Sequence, residues 1–329
     1  MNDVKQAQKT FSYLGWCYIT GTAVVYFLNW IVSKYIELYK PEWANNMSLM
    51  MVLSTVIVYG CAMPLIALLV RGMKVQAPER RKMKWWQFLI AFIICYALVF
   101  VSNIVGTTVT TIIGLLKGSA VNNGVVTVVS NGNMLVNFVS MVVLAPIVEE
   151  LVFRKLIIDR TAQYGQTVAI IASGLMFGLF HGNLNQFAYA LVLGCFFAFI
   201  YLRTGNIKIT IAMHAILNFM GSMVVGGLMK LVRYSELLML GPEDEELMMT
   251  MIMEDIVGWI LLILYLMLLF IVVITGIVFF FVFLKKMKPV PAETDLPKEQ
   301  RMKALFVNPG MIVFCVVWIV LIVLQLFGL

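Results

Sequence analysis

Nine stretches of about twenty mostly apolar residues run through the chain, each long enough to cross a bilayer as a helix. They cover 12–33, 47–70, 86–106, 133–153, 166–182, 184–202, 207–229, 256–284 and 310–328. The stretch Thr107–Leu116 is apolar enough to extend the third run or to lie at the interface. Of 329 residues, 62% are hydrophobic and 12% charged. A soluble domain carries about 25% charged and 45–50% apolar residues. An ordinary soluble enzyme, a disordered chain and a nucleic-acid module are therefore excluded. The expected fold is all-α, a polytopic transmembrane bundle of about nine spans. No repeat and no long Pro- or Gly-rich linker divides it. The natural partition is N-terminal helices over 1–132, a core over 133–229, and an acidic loop with C-terminal helices over 230–329.

Loop charge sets the expected orientation. Lys and Arg concentrate before the first span, at 71–84, at Arg154, Lys155 and Arg160, at Arg203 and Lys208, and at 285–304. These are alternate loops. The loop after the seventh span is acidic, with Glu236, Glu243, Asp244, Glu245, Glu246, Glu254 and Asp255. The positive-inside rule then puts the N-terminus in the cytoplasm and the C-terminus outside. The net charge of +7 belongs to those cytoplasmic loops and not to a nucleic-acid site. The first apolar run is too long for a signal-peptide core and is read as a retained span. Five cysteines, Cys17, Cys61, Cys95, Cys195 and Cys315, lie singly in apolar stretches. They read as small buried hydrophobes.

Ionisable residues inside spans are costly and need a reason. Glu149 and Glu150 end the fourth apolar run, and Arg154 follows them. His181 closes the fifth span and His214 lies within the seventh; they are the two histidines of the chain. Glu150 and Arg154 are four apart, so they share a helix face and can pair. Glu149 is left on a neighbouring face. Pro146 just before it can kink the helix. His214 and Asn218 also share a face, as do Phe177 and His181. If the fourth helix continues to a turn near Tyr164 and Gly165, Glu149 and His181 both lie roughly 22–24 Å from that turn.

Two chemistries suit such a set. A carboxylate beside an imidazole can take a proton from water, while a second imidazole and an amide stabilise an oxyanion. Alternatively, Glu149, His181 and His214 can hold a zinc ion with water in the fourth position. A zinc-bound histidine usually gives its other ring nitrogen to a carboxylate, carbonyl or water. No further acidic residue lies within a turn of either histidine, and Asn218 suits an oxyanion site. The balance tilts slightly toward a bare water, with the cofactor left open.

Three motifs then resemble a known family. Glu149-Glu150-Leu-Val-Phe-Arg154, Phe177-Gly-Leu-Phe-His181 and His214-Ala-Ile-Leu-Asn218 look like the Glu-Glu-x-x-x-Arg, Phe-x-x-x-His and His-x-x-x-Asn motifs of the CAAX-protease and bacteriocin-processing (Abi) family of intramembrane proteases. The resemblance implies an endopeptidase acting on a membrane-associated peptide or protein. It implies Glu149 as the residue that activates water, with His181 beside it. His214 and Asn218 would stabilise the oxyanion, and Glu150, Arg154 and Phe177 would support. Metal dependence is contested within that family. A bacterial cytoplasmic membrane is the expected location. A proteolytically silent immunity or regulatory scaffold of the same fold is the alternative. A proton-coupled transporter is a third reading, weakened by the lack of inverted repeats.

The topology is directly testable. In a background free of the five native cysteines, a cysteine introduced near Glu245 is expected to react only with reagent added outside. Cysteines introduced within 71–84 are expected to react only from the cytoplasmic side. Labelling near Glu245 from the cytoplasm alone would overturn the orientation.

Overall fold

The structure is a computed structural model and describes residues 2–121, 124–237, 239–290 and 295–328. Among the described residues every regular element is helical. Nine longer helices form the bundle: α1 (Asn2–Tyr39), α2 (Met47–Gly72), α3 (Trp85–Lys117), α4 (Met134–Tyr164), α5 (Gln166–Phe180), α6 (Leu184–Thr204), α7 (Ile207–Leu231), α8 (Ile256–Lys286) and α9 (Pro309–Phe327). Eight of them are long and apolar enough to cross a membrane. The exception is α5. Its 15 residues cover roughly 22 Å, less than a hydrocarbon core of about 30 Å. The expected count of about nine spans is thus met by eight spans and one shorter apolar helix.

The ends of α4 and α6 lie on one side, because the segment between α2 and α3 bonds to both. Gln76 N–H donates to the Asp159 carbonyl, and Arg81 N–H to that of Thr204. The basic residues Arg154, Lys155 and Arg160, expected in a loop, lie instead within α4, where Arg154 and Arg160 are buried. Thr107–Leu116 continues α3 without a break. The fourth helix runs past its apolar stretch to Tyr164, as the common level of Glu149 and His181 requires. Its polar end is satisfied by neighbours. Asp159 accepts from Tyr201 Oη at 2.8 Å and pairs with Lys155 Nζ at 2.8 Å. Arg160 Nε donates to the Val70 carbonyl.

Helices in lipid gain little from burying apolar faces, so close backbone contact matters more. At the α5–α6 crossing a Cβ on Gly174 would lie 2.3 Å from Cys195 Sγ, and one on Gly194 would lie 2.7 Å from Gly174 Cα. Only glycine permits that approach. It seats α5 in the centre of the bundle, where Val168, Ala172, Met176 and Phe177 are fully buried. Outside this pair, α6 packs on α3, α3 on α8, and α1 on α9. The cysteines are free thiols. Only Cys17 and Cys95 are buried as expected; Cys195 and Cys315 are half-buried, and Cys61 is exposed on α2.

Among the described residues four stretches are wound as π-helix: Val56–Ala62 in α2, Phe138–Leu144 and Glu150–Leu156 in α4, and Phe219–Val224 in α7. A π turn interrupts the i→i−4 ladder. In lipid the released backbone groups need partners from the protein itself. Side chains of other helices bond carbonyls within three of the four stretches. Met141 carbonyl accepts from Asn218 Nδ2 at 2.7 Å, and Val152 carbonyl from Tyr18 Oη at 2.6 Å. Phe153 carbonyl accepts from Ser173 Oγ at 2.7 Å, and Met220 carbonyl from Tyr265 Oη at 3.2 Å. Pro146, which has no N–H to give, lies between the two π stretches of α4. The disturbance expected at that proline takes this form.

Candidate active site

The second π stretch of α4 begins at Glu150. Its carboxylate and the Arg154 guanidinium are both fully buried, with Oε2 and Nε 3.2 Å apart. The guanidinium carbon lies 4.0 Å from the centre of the Phe177 ring and 5.6 Å from that of Phe197. A desolvated cation gains from such aromatic faces. The other carboxylate oxygen of Glu150 accepts from His214 Nδ1 at 3.0 Å. One buried carboxylate therefore joins α4 to α7 and orients the imidazole.

Glu149 precedes it by one residue and faces elsewhere. Its Oε1 accepts from Tyr59 Oη at 2.6 Å, and its Oε2 stands 3.9 Å from His214 Nε2. That second separation is too long for a direct hydrogen bond. The Glu149 side chain is 14% exposed, whereas that of Glu150 is fully buried. The accessible carboxylate is thus Glu149.

His181 ends α5. Its Nδ1 lies 2.8 Å from the Phe177 carbonyl. A carbonyl only accepts, so Nδ1 carries the hydrogen and Nε2 of the neutral ring keeps its lone pair. Phe177 stands edge-on to both imidazoles, with ring centres 4.7 Å from His181 and 6.0 Å from His214. It also carries the Arg154 guanidinium, which explains an aromatic residue at this position. The chain then reverses at Gly182, whose φ of 67° favours glycine. Asn183 Nδ2 donates to the His181 carbonyl, and Asn183 Oδ1 caps α6 at Gln186 N–H. Trp318 of α9 lies against this turn, its ring centre 5.0 Å from that of Phe180. Asn218, one turn beyond His214, commits one amide N–H to Met141.

Four of the seven singled-out residues, Glu149, Glu150, Arg154 and His214, thus meet through their own polar atoms, with Phe177 packed among them. His181 is joined through Phe177, and Asn218 through the α4 backbone. Tyr59 was not legible in the sequence. It lies in an apolar run with no motif, and only the fold brings it to Glu149.

The donor chemistry of Glu149, His181 and His214 suits zinc. Both histidines also have the Nδ1 partner that a metal-bound imidazole needs: Glu150 for His214 and the Phe177 carbonyl for His181. The shortage of acidic neighbours inferred from sequence spacing is made up by the fold. However, among the described residues no three His, Cys, Asp or Glu side chains stand where they could jointly hold a metal ion. The residues as placed do not form the ligand set.

The family described as Type II CAAX prenyl endopeptidase Rce1-like matches residues 131–220. This segment is Rce1-like. It holds all three motifs and bears out the resemblance they carry. The proposed membrane peptidase YdiL of Bacillus subtilis (strain 168) is 35% identical over 79 residues, which are 23% of this chain and 32% of that protein. The chain thus spans about a third of the length of the curated relative it matches. No solved structure matches it. Residues 131–220 are thus similar to a CAAX-type membrane peptidase family, in a chain with eight helices long and apolar enough to cross a membrane.

The buried pair makes a prediction. Arg154→Ala removes the guanidinium from a fully desolvated carboxylate and should cost about 3–5 kcal/mol. Replacing both partners, Glu150→Gln with Arg154→Met, should recover most of that stability. It should not recover function, because His214 loses its charged partner. Thermal unfolding in detergent measures the first part, and an Arg154→Ala protein as stable as wild type would contradict it.

Proposed function

We propose that the protein is an intramembrane endopeptidase of the CAAX-protease and bacteriocin-processing type. It hydrolyses a peptide bond in a membrane-associated peptide or protein, using a water activated by Glu149. We further assign it to a bacterial cytoplasmic membrane. The observation that carries the reading is the division between consecutive glutamates. Glu150 is consumed by Arg154 and His214, while Glu149 keeps one oxygen turned toward His214 and free of any direct bond.

In this mechanism the water lies between Glu149 Oε2 and His181 Nε2. Glu149 takes a proton as the water oxygen attacks the carbonyl carbon. The tetrahedral oxyanion accepts from His214 Nε2–H and from the second amide N–H of Asn218. His214 can donate there in its imidazolium form, since Nδ1–H already lies on the Glu150 carboxylate. Collapse of the intermediate breaks the C–N bond, and the proton on Glu149 passes to the leaving amine. Glu149 ends as it began. Zinc on Glu149, His181 and His214 would require the three donors to draw closer than they stand, so no step is routed through it.

The test is cleavage of a membrane-peptide library by protein purified into nanodiscs. Glu149→Gln should lower turnover by about a hundredfold or more while the protein still accumulates in the membrane. Near-full turnover by that variant would sink the assignment. Activity should survive stringent chelation. One zinc per chain, lost together with activity in His181→Ala and restored by added metal after chelation of the wild type, would reverse the metal-free reading.

A further inference from the structure

Helix α2 lies outside the Rce1-like segment, yet it places a side chain on the proposed base. Tyr59 Oη donates to Glu149 Oε1 at 2.6 Å, the length of a charge-assisted O–H···O⁻ bond. Tyr59 and Thr55 are four apart and share the face of α2 turned to α4. Thr55 Oγ1 donates to Ser140 Oγ at 3.1 Å on the same pair of helices. Besides the Arg160 bond to the Val70 carbonyl, two bonds between side chains therefore tie α2 to α4 among the described residues, and only one of them ends on a reacting group.

A phenol in lipid must place its hydroxyl on some acceptor. A backbone carbonyl serves Tyr18 and Tyr265 in this bundle. Tyr59 takes a carboxylate oxygen instead, and it takes the one turned away from His214. A glutamate side chain has three rotatable bonds and, unpinned, two equivalent oxygens. Holding Oε1 removes that freedom and leaves Oε2 as the oxygen that meets water. The π stretch Val56–Ala62 contains Tyr59.

From this geometry we propose that Tyr59 is a positioning residue for the hydrolysis: it pins Glu149 by one oxygen so that the other faces the water and His214. The proposal rests on Glu149 being the base, and the experiment separates the two ideas. Tyr59→Phe keeps the ring and removes the hydroxyl. Its kcat should fall by about tenfold to a hundredfold, the range for one bond to a charged group, with KM and unfolding temperature near those of wild type. Thr55→Val removes the companion α2–α4 bond and should leave kcat unchanged, because a general loosening of these helices is not the cause. Adding Tyr59→Phe to Glu149→Gln should cost nothing further.

Infrared difference spectra of the substrate-free protein supply a readout that does not depend on turnover. Between wild type and Tyr59→Phe one carboxylate band should shift, and no such shift should appear in a Glu149→Gln background. A wild-type kcat in Tyr59→Phe, an equal loss of kcat in Thr55→Val, or the absence of the carboxylate shift would overturn the proposal. Full activity in Glu149→Gln would instead overturn the reading of Glu149 as the base, and the infrared result would still report whether the bond exists.

Discussion

A carboxylate with no access to water lies at the centre of this bundle, and the site is arranged around it. Glu150 would be intolerable there alone. Arg154 neutralises it from the same helix, and His214 Nδ1 satisfies its second oxygen from α7. Removing either partner leaves a charge in a medium that cannot solvate it. A buried pair of this kind adds little net stability compared with apolar residues of the same size. What it fixes here is orientation. With Nδ1 held, the other nitrogen of His214 can only face Glu149.

The two glutamates differ by about 100° of helix rotation, and that rotation separates their work. One points into packed protein and holds the frame. The other is partly exposed and keeps one oxygen free of a direct bond. The π stretches extend the same logic to the backbone. One contains Tyr59 and others begin at Glu150 or just after Asn218, and carbonyls within three of them accept from Tyr18, Ser173, Asn218 and Tyr265. An amide at Asn218 is thereby both a brace for α4 and a neighbour of His214. Local departures from α-helix collect where the polar residues collect, because each must reach a partner in another helix.

The helices and most of the site could be read from the sequence for a simple reason. Charge is scarce in the spans, so Glu149, Glu150, Arg154, His181 and His214 stood out against an apolar background. Spacing predicted the Glu150–Arg154 pair. Counting from Gly165 predicted one level for Glu149 and His181, and α4 does run unbroken to Tyr164. Three things were hidden. The fifth run looked like a span because hydropathy does not register that α5 ends at His181. The Glu150–His214 bond joins residues 64 apart, and no local rule reaches that far. Tyr59 sits in an apolar run where a tyrosine carries no signal until α2 is laid against α4.

The central claim is that Glu150 holds His214 by Nδ1 while Glu149 faces its Nε2. Nitrogen-15 NMR of histidine-labelled protein reads this without any substrate, and the chain has two histidines to assign. A protonated Nδ1 is expected at both rings, from the bonds to Glu150 and to the Phe177 carbonyl. In Glu150→Gln the His214 Nδ1 signal should move and that of His181 should stay. In Glu149→Gln the His214 Nδ1 signal should stay, with the change at Nε2. A His214 ring protonated only at Nε2 in the wild type, or an Nδ1 signal indifferent to Glu150→Gln, would contradict the account.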